Sequence, residues 1–287
     1  MSQAISISSE NFRGSNASSA SPRAAAPARS ASALLSKVPH VALAFWIAKI
    51  LATTLGETGG DALSMTLQLG YALSTLIFLG FFAVTLAAQL STRRYHPAIY
   101  WAVVVATTTV GTTTSDYLDR TLGLGYIKSS LMLFAAVVVV LVAWRLTTGA
   151  IRVDQIERRT DEMFYWLAIL VANTLGTALG DMTADDLGLG FSGGALLFAG
   201  LIALVAAAAW FTRNAKPAWR GILFWSAYVL TRPLGATLGD TLTKPHEEGG
   251  LALGRITSSA VIALALVIVI AVTSLRRRTP TVPTPSA

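Results

Sequence analysis

The chain has 287 residues, of which 53% are hydrophobic and only 13% are charged, and these proportions indicate a membrane protein. The net charge of +7 is spread between apolar runs instead of lying on one polar face, which argues against nucleic acid as a partner. The sequence contains no Cys, which excludes disulfides, thiolate metal sites and a Cys nucleophile.

The chain begins with a polar segment and continues with eight apolar ones. Residues 1–36 are rich in Ser, Ala, Pro and Arg and contain no signal-peptide core, which predicts a disordered cytoplasmic arm, with an organellar transit peptide as the alternative. A spanning helix needs about 20 residues, so the apolar stretches predict an all-α, polytopic membrane domain of eight transmembrane helices over residues 37–276, followed by a disordered tail at 277–287. The stretches run at roughly 39–59, 67–90, 97–115, 123–146, 163–180, 190–211, 218–239 and 251–275.

An internal repeat underlies these segments. An aromatic–Trp pair occurs four times, a glycine follows each Trp by ten residues, and an aspartate follows that glycine by five. The aspartates are 55, 65 and 59 residues apart. The pattern predicts four tandem helical hairpins in a pseudo-fourfold ring, with repeats at about 39–92, 93–150, 158–213 and 217–276. The Trp side chains are predicted to be anchors at the membrane interface.

Basic residues predict the orientation of the hairpins. The two tails and the loops between repeats hold sixteen Lys or Arg and five acids, whereas the remaining positions hold six bases and ten acids. Positive charge marks the cytoplasmic side, so both termini are predicted to be cytoplasmic in a bacterial inner membrane. The lipid bilayer is the expected partner, and a homo-oligomer is an open alternative.

The repeated aspartates are the candidate functional residues. At about 1.5 Å per residue from the aromatic pair, each lies about 22 Å into a core of about 30 Å, near a helix C-terminus. A carboxylate at that depth needs a positive partner, and the neighbouring oxygen donors suit Mn²⁺, Ca²⁺ or Mg²⁺. The predicted cation-binding and metal-ligating residues are Asp61, Asp116, Asp181 and Asp240, supported by Glu57, Thr112, Asn173 and Thr177.

The small residues before the aspartates have a structural interpretation of their own. Glycines four residues apart allow membrane helices to approach closely, and an aspartate behind them can simply cap the next helix. Packing and capping therefore form an alternative to cation binding. The predicted packing and helix-break positions are Gly56, Gly60, Gly111, Ser115, Gly176, Gly180, Gly235 and Gly239.

Two basic residues break the fourfold symmetry and are predicted charge partners. Lys49 occurs only in the first copy, on the helical stripe that continues to Glu57 and Asp61, and it predicts either a salt-bridged gate or a proton-coupled element. Arg232 occurs only in the fourth copy, where Pro233 follows it and predicts a kink.

The four hairpins with their Trp, Gly and Gly-Asp spacings resemble a family of bacterial inner-membrane proteins labelled "uncharacterised membrane-anchored protein", over about residues 37–276. That resemblance implies the architecture and little about activity. A weaker similarity is to manganese and calcium exchangers with the signature Glu-x-Gly-Asp-(Lys/Arg)-(Thr/Ser). In "ETGGDALS", Glu57 stands one residue further from Gly60-Asp61 than the signature requires, and "LGDMT" and "LGDTLT" lack both the Glu and the basic residue.

The sequence contains no Walker motif, no Gly-x-Ser-x-Gly elbow and no His-Glu-x-x-His motif, so no enzyme is predicted. The preferred prediction is a secondary transporter or exporter of a divalent cation, with manganese favoured and the cation acting as substrate instead of cofactor. The main alternative is a non-transporting membrane scaffold or sensor whose Gly-Asp motifs serve packing and capping. Transport of a small organic cation is a third.

Overall fold

The computed structural model describes residues 43–92, 95–149, 151, 158–212 and 217–278. The described ranges are all-helical, with eight α-helices and no strand. The predicted arm at 1–36 and most of the predicted tail at 277–287 lie outside these ranges. The helices are α1 (Leu43–Asp61), α2 (Gly70–Ser91), α3 (Pro97–Asp116), α4 (Tyr126–Thr148), α5 (Arg159–Asp181), α6 (Gly190–Phe211), α7 (Pro217–Thr243) and α8 (Arg255–Arg278).

The odd-numbered helices form a closed inner ring. Helix α1 packs against α3, α3 against α5, α5 against α7, and α7 against α1. These helices carry the glycines of the repeated motif and most of the threonines, whose small side chains allow neighbouring backbones to approach closely. The ring is the arrangement that four equivalent repeats predict.

The even-numbered helices lie outside the ring, and each packs mainly against the inner helix of the following repeat. Helix α2 packs on α3, α4 on α5 and α6 on α7, while α8 returns to α1 and closes the circle. The hairpin predicted from the sequence is therefore a unit of the chain but not the main unit of packing. The turn between the two helices allows this displacement, because Gly125 and Gly190 adopt positive φ angles of 74° and 63° at the start of the outer helices.

In the part of the chain that the structure describes, five helical segments are long and apolar enough to cross a membrane. They are Gly70–Ser91, Tyr126–Thr148, Arg159–Asp186, Gly190–Phe211 and Arg255–Leu275, which include all four outer helices. Helices α1, α3 and α7 are not among them, because their threonines, glycines and charged residues lower their hydropathy. The outer helices present large apolar side chains outward, as a lipid-facing surface does.

Aromatic side chains close one end of the inner ring. The first aromatic residue of each repeat contacts the Trp of the next repeat around the ring, so the four contacts form a circle. The ring centroids are 5.7 Å apart for Phe45 and Trp101, 5.5 Å for Tyr100 and Trp166, 6.3 Å for Tyr165 and Trp225, and 5.6 Å for Phe224 and Trp46. Trp101, Trp144 and Trp166 are buried in the core, so the prediction that the Trp side chains are interfacial anchors is wrong for these three.

The inner helices stack their inward residues in layers spaced four residues apart. Counting back from the aspartate, the residues at positions 0, −4, −8, −12 and −16 are buried in all four repeats except Phe224, which is partly buried. The layers are Asp61, Asp116, Asp181 and Asp240; Glu57, Thr112, Thr177 and Ala236; Thr53, Thr108, Asn173 and Arg232; Lys49, Val104, Ile169 and Tyr228; and Phe45, Tyr100, Tyr165 and Phe224. Four residues of helix rise about 6 Å, so this buried column is about 24 Å long.

Candidate functional site

Glycines set the spacing of the helices that carry the site. A Cβ placed on Gly176 would lie 2.5 Å from the Arg232 side chain, and one on Gly111 would lie 3.0 Å from the backbone of Asn173. Gly56 meets Thr108, and Gly235 meets Thr53, in the same way. In each repeat the glycine at position −5 therefore faces the residue at position −8 of the next inner helix, and a larger side chain would force the ring apart.

The second small residue of each motif lies one step nearer the aspartate. A Cβ on Gly60 would lie 3.0 Å from Thr112, one on Gly180 would lie 3.1 Å from Ala236, and one on Gly239 would lie 2.7 Å from Glu57. Ser115 occupies this position in the second repeat and donates a hydrogen bond to Asp119 at 3.3 Å. The seven glycines among the predicted packing positions thus lie at contacts between inner helices, Ser115 is buried, and the α-helices run through all eight positions without a break.

The aspartates mark the ends of three inner helices. Helices α1, α3 and α5 end at Asp61, Asp116 and Asp181, and a one-turn π-helix follows each of them: Ala62–Thr66, Tyr117–Thr121 and Met182–Asp186. None of these three carboxylates makes a side-chain capping bond there. Capping of a following helix therefore does not account for the repeated aspartate in these repeats.

Three buried carboxylates come together at this end of the column. One oxygen each from Glu57, Asp61 and Asp240 lies within 4.8 Å of the other two. All three residues are at most 3% exposed. Carboxylate oxygens converging in this way are the donor set that a hard divalent cation prefers. Asp116 and Asp181 belong to the same layer but lie outside this cluster.

Basic side chains surround the acidic layer. Lys244 Nζ lies 3.6 Å from Asp240 and 4.0 Å from Asp61, and Arg255 Nε lies 3.4 Å from Asp61. Arg120 Nε lies 3.1 Å from Asp116. The positive partners that the aspartates require are thus largely supplied by the protein itself. Sequence reasoning missed these three residues, although Arg120 and Lys244 both stand four residues after a repeat aspartate, where a helix brings side chains together.

The longer loop of the fourth repeat folds back on the end of α7 and holds Lys244 in place. Leu251 N donates to Thr241 O at 2.8 Å, and Ala252 N donates to Lys244 O at 2.9 Å. These bonds satisfy the last carbonyls of the helix. The Lys244 side chain is consequently buried beside Asp61 and Asp240 instead of extending into solvent.

The Arg232 side chain binds residues of the three other inner helices, in the layer directly below the aspartates. Its Nη2 donates to Glu57 Oε2 at 2.9 Å and to the hydroxyls of Thr112 and Thr177, both at 2.5 Å. The three acceptors occupy the same position, −4, in three different repeats, and the fourth position is Ala236. Arg232 therefore reaches from its own layer into the next and binds every polar side chain there. Helix α7 continues through Pro233.

Comparison with known protein families gives one match. A family model described as Repeat of Unknown Function (DUF347) matches four times, at residues 44–95, 99–150, 164–215 and 223–279. The chain belongs to this family. The predicted four-repeat organisation is confirmed, and each matched repeat contains one inner and one outer helix. No match is found among curated proteins or among solved structures, so the weaker similarity to cation exchangers gains no support.

The four DUF347 repeats contribute unequally to the site. The first supplies Glu57, Asp61 and Lys49, and the fourth supplies Asp240 and Arg232. Helices α1 and α7 are neighbours in the ring, so the first and last repeats form the carboxylate cluster together.

The second and third DUF347 repeats supply mainly hydroxyl and amide groups. Asn173 Nδ2 donates to Thr107 Oγ1 at 3.0 Å, and Thr112 Oγ1 lies 3.2 Å from Glu57 Oε2. Asp181 Oδ2 has no hydrogen-bond partner among the described residues. The predicted site residues therefore lie in one buried column, but only part of them converges on a single point.

Proposed function

We propose that the chain is a multi-pass protein of the bacterial inner membrane that transports a divalent cation, with manganese favoured as substrate. The observation that carries the proposal is the cluster of Glu57, Asp61 and Asp240, whose oxygens lie within 4.8 Å of one another in the buried interior. Buried acids at membrane depth usually mark an ion pathway or a proton relay. Both termini would be cytoplasmic, and the acidic layer would lie toward the outer face.

Lys244 has a specific role in this proposal. Its ammonium group contacts Asp61 and Asp240, which are two of the three proposed ligands. A tethered cation in that position neutralises the site when no metal is bound, and an entering divalent cation displaces it. The site can thus be loaded and emptied without ever leaving three carboxylates unpaired, a state that burial would make costly.

The test is uptake and efflux of Mn²⁺ by proteoliposomes that contain the full chain. We expect Asp61→Asn and Asp240→Asn to abolish flux and to remove stabilisation of the detergent-solubilised protein by Mn²⁺, since a ligand that binds only the folded state raises its stability. Asp186→Asn is the matched control, because it removes the same charge from an exposed residue next to the same layer. Lys244→Met is expected to tighten Mn²⁺ binding, because it removes the competing ammonium group.

A scaffold or sensor is the second candidate, and one observation favours it. The basic residues Arg120, Arg232, Lys244 and Arg255 already balance most of the buried acids, so the network can stabilise the ring without any ion. Under that function the two Asn variants would weaken folding, and Mn²⁺ would not stabilise the wild-type chain. Unchanged Mn²⁺ flux in both variants would refute the transport proposal.

A further inference from the structure

The half of the buried column that lies nearer the aromatic layer carries an excess of positive charge. Lys49, at 1% exposure, lies in the layer next to the aromatic end, and its Nζ has no hydrogen-bond acceptor among the described residues. The ring of Tyr228 lies against it, with the ring centroid 4.2 Å from Nζ. A cation–π contact offsets only part of the cost of burying an ammonium group.

Arg232 adds further unpaired donors one layer above. Its three acceptors all bond to Nη2, whereas Nε and Nη1 have no acceptor in the described part of the chain. Arg232 is as deeply buried as Lys49. A buried donor of a charged group that lacks an acceptor destabilises the folded state, and it does so more strongly than a neutral donor without an acceptor.

The charges of these layers do not cancel. Between the aromatic layer and the aspartate layer the column contains two cations, Lys49 and Arg232, and one acid, Glu57, which already binds Arg232. The other acids of the column, the repeat aspartates, stand twelve residues after the Lys49 layer, or about 18 Å along a helix. The half of the column nearer the aromatic layer therefore contains no acid close enough to pair with Lys49.

We infer that Lys49 and Arg232 form a binding site for a small monovalent anion, such as a halide ion. Lys49 Nζ and the free Arg232 nitrogens supply charged donors, and the Tyr228 hydroxyl, which is also buried, belongs to the same layer as Lys49. Val104 and Ile169 complete that layer and are fully buried, and the aromatic layer closes the end beyond it. These apolar walls restrict the ligand to a small ion. The site adjoins the carboxylate cluster through the ion pair of Arg232 with Glu57, but it uses other donors, Lys49 Nζ and Arg232 Nε and Nη1, and it does not depend on cation transport.

The test measures the thermal unfolding of the purified full chain in detergent, in sodium bromide and in sodium gluconate at equal ionic strength. We expect bromide to raise the unfolding temperature of the wild type in a saturable way, because it binds the folded state. Lys49→Met should weaken bromide binding by about tenfold or more, since it removes a charge-assisted hydrogen bond. Lys49→Arg should retain the effect, because it keeps the charge and a donor.

Two further variants distinguish bromide binding at Lys49 from a general salt effect and from an effect at the carboxylate cluster. Lys128→Met removes an exposed lysine from α4 and should leave the bromide effect unchanged. Asp240→Asn should also retain it, so loss of cation transport and loss of anion binding are distinguishable. Two results would overturn the inference: equal unfolding temperatures of the wild type in bromide and gluconate, or a bromide effect that persists in Lys49→Met. In either case water, and not an anion, would be the partner of the buried donors.

Discussion

Replacing Arg232 with Met tests whether the buried ion pair is a centre of stability. The substitution removes the hydrogen bonds from Arg232 to Glu57, Thr112 and Thr177 and leaves the Glu57 carboxylate, at 3% exposure, without a positively charged partner. Breaking a buried pair in this way costs about 3–5 kcal/mol. Since a folded domain has about 5–15 kcal/mol of stability, Arg232→Met should lower the free energy of unfolding by about a fifth of its value or more.

The double variant Arg232→Met, Glu57→Gln separates this cost from loss of packing. Because the second change neutralises the stranded carboxylate, we expect it to recover about 2–3 kcal/mol of the free energy of unfolding. The assay is equilibrium unfolding in mixed detergent micelles, followed by tryptophan fluorescence. Arg145→Met, at an exposed site on α4, serves as control and should change stability by less than about 1 kcal/mol. Strictly additive effects of the two changes would refute the ion pair as the source of the stability.

Two further predictions concern the packing of the ring. Gly56→Ala places a methyl group against Thr108 and should lower the free energy of unfolding by about 1–3 kcal/mol. The control Gly80→Ala on α2, where a Cβ would have no neighbour within 4 Å, should be neutral or raise that free energy by up to about 1 kcal/mol. Equal effects of the two variants in denaturant titrations would contradict the close approach of α1 and α3. In this Cys-free chain, Thr58→Cys with Ser259→Cys should form a disulfide under oxidation, because the two hydroxyls lie 2.8 Å apart between α1 and α8. Ser259→Cys paired with Thr177→Cys, on the opposite inner helix α5, should form none, and the reverse result on a denaturing gel would contradict the packing of α8 on α1.

The regular part of this architecture could be predicted from the sequence. Identical spacings of Trp, Gly and Asp are local along the chain, and a helix converts them directly into layers, so the four repeats and the helix ends at Asp61, Asp116 and Asp181 follow from counting. The apolar composition of the outer helices likewise predicts their outward position.

The partners of the outer helices and of the aspartates could not be predicted in the same way. Hydropathy shows that α2 has an apolar surface, but a uniformly apolar helix carries no signal that selects α3 over α1. The sequence suggested an external ion as the partner of the acids, whereas Arg120, Lys244 and Arg255 lie beside them. Arg255 begins the last outer helix, so only the return of that helix to α1 brings it near Asp61.

The return of α8 to α1 also has a consequence for biosynthesis. Among the described helices α1 is synthesised first and α8, which covers its outer side, is synthesised last, so α1 stays uncovered until almost all of the described chain has been made. Glu57 and Asp61 have no ion-pair partner among the described residues until then, because Arg232, Lys244 and Arg255 all belong to the final quarter of the chain. Ring closure and neutralisation of the first repeat's acids are therefore one late event, and a chain that stops before the fourth repeat lacks both the cover of α1 and the basic partners of Glu57 and Asp61.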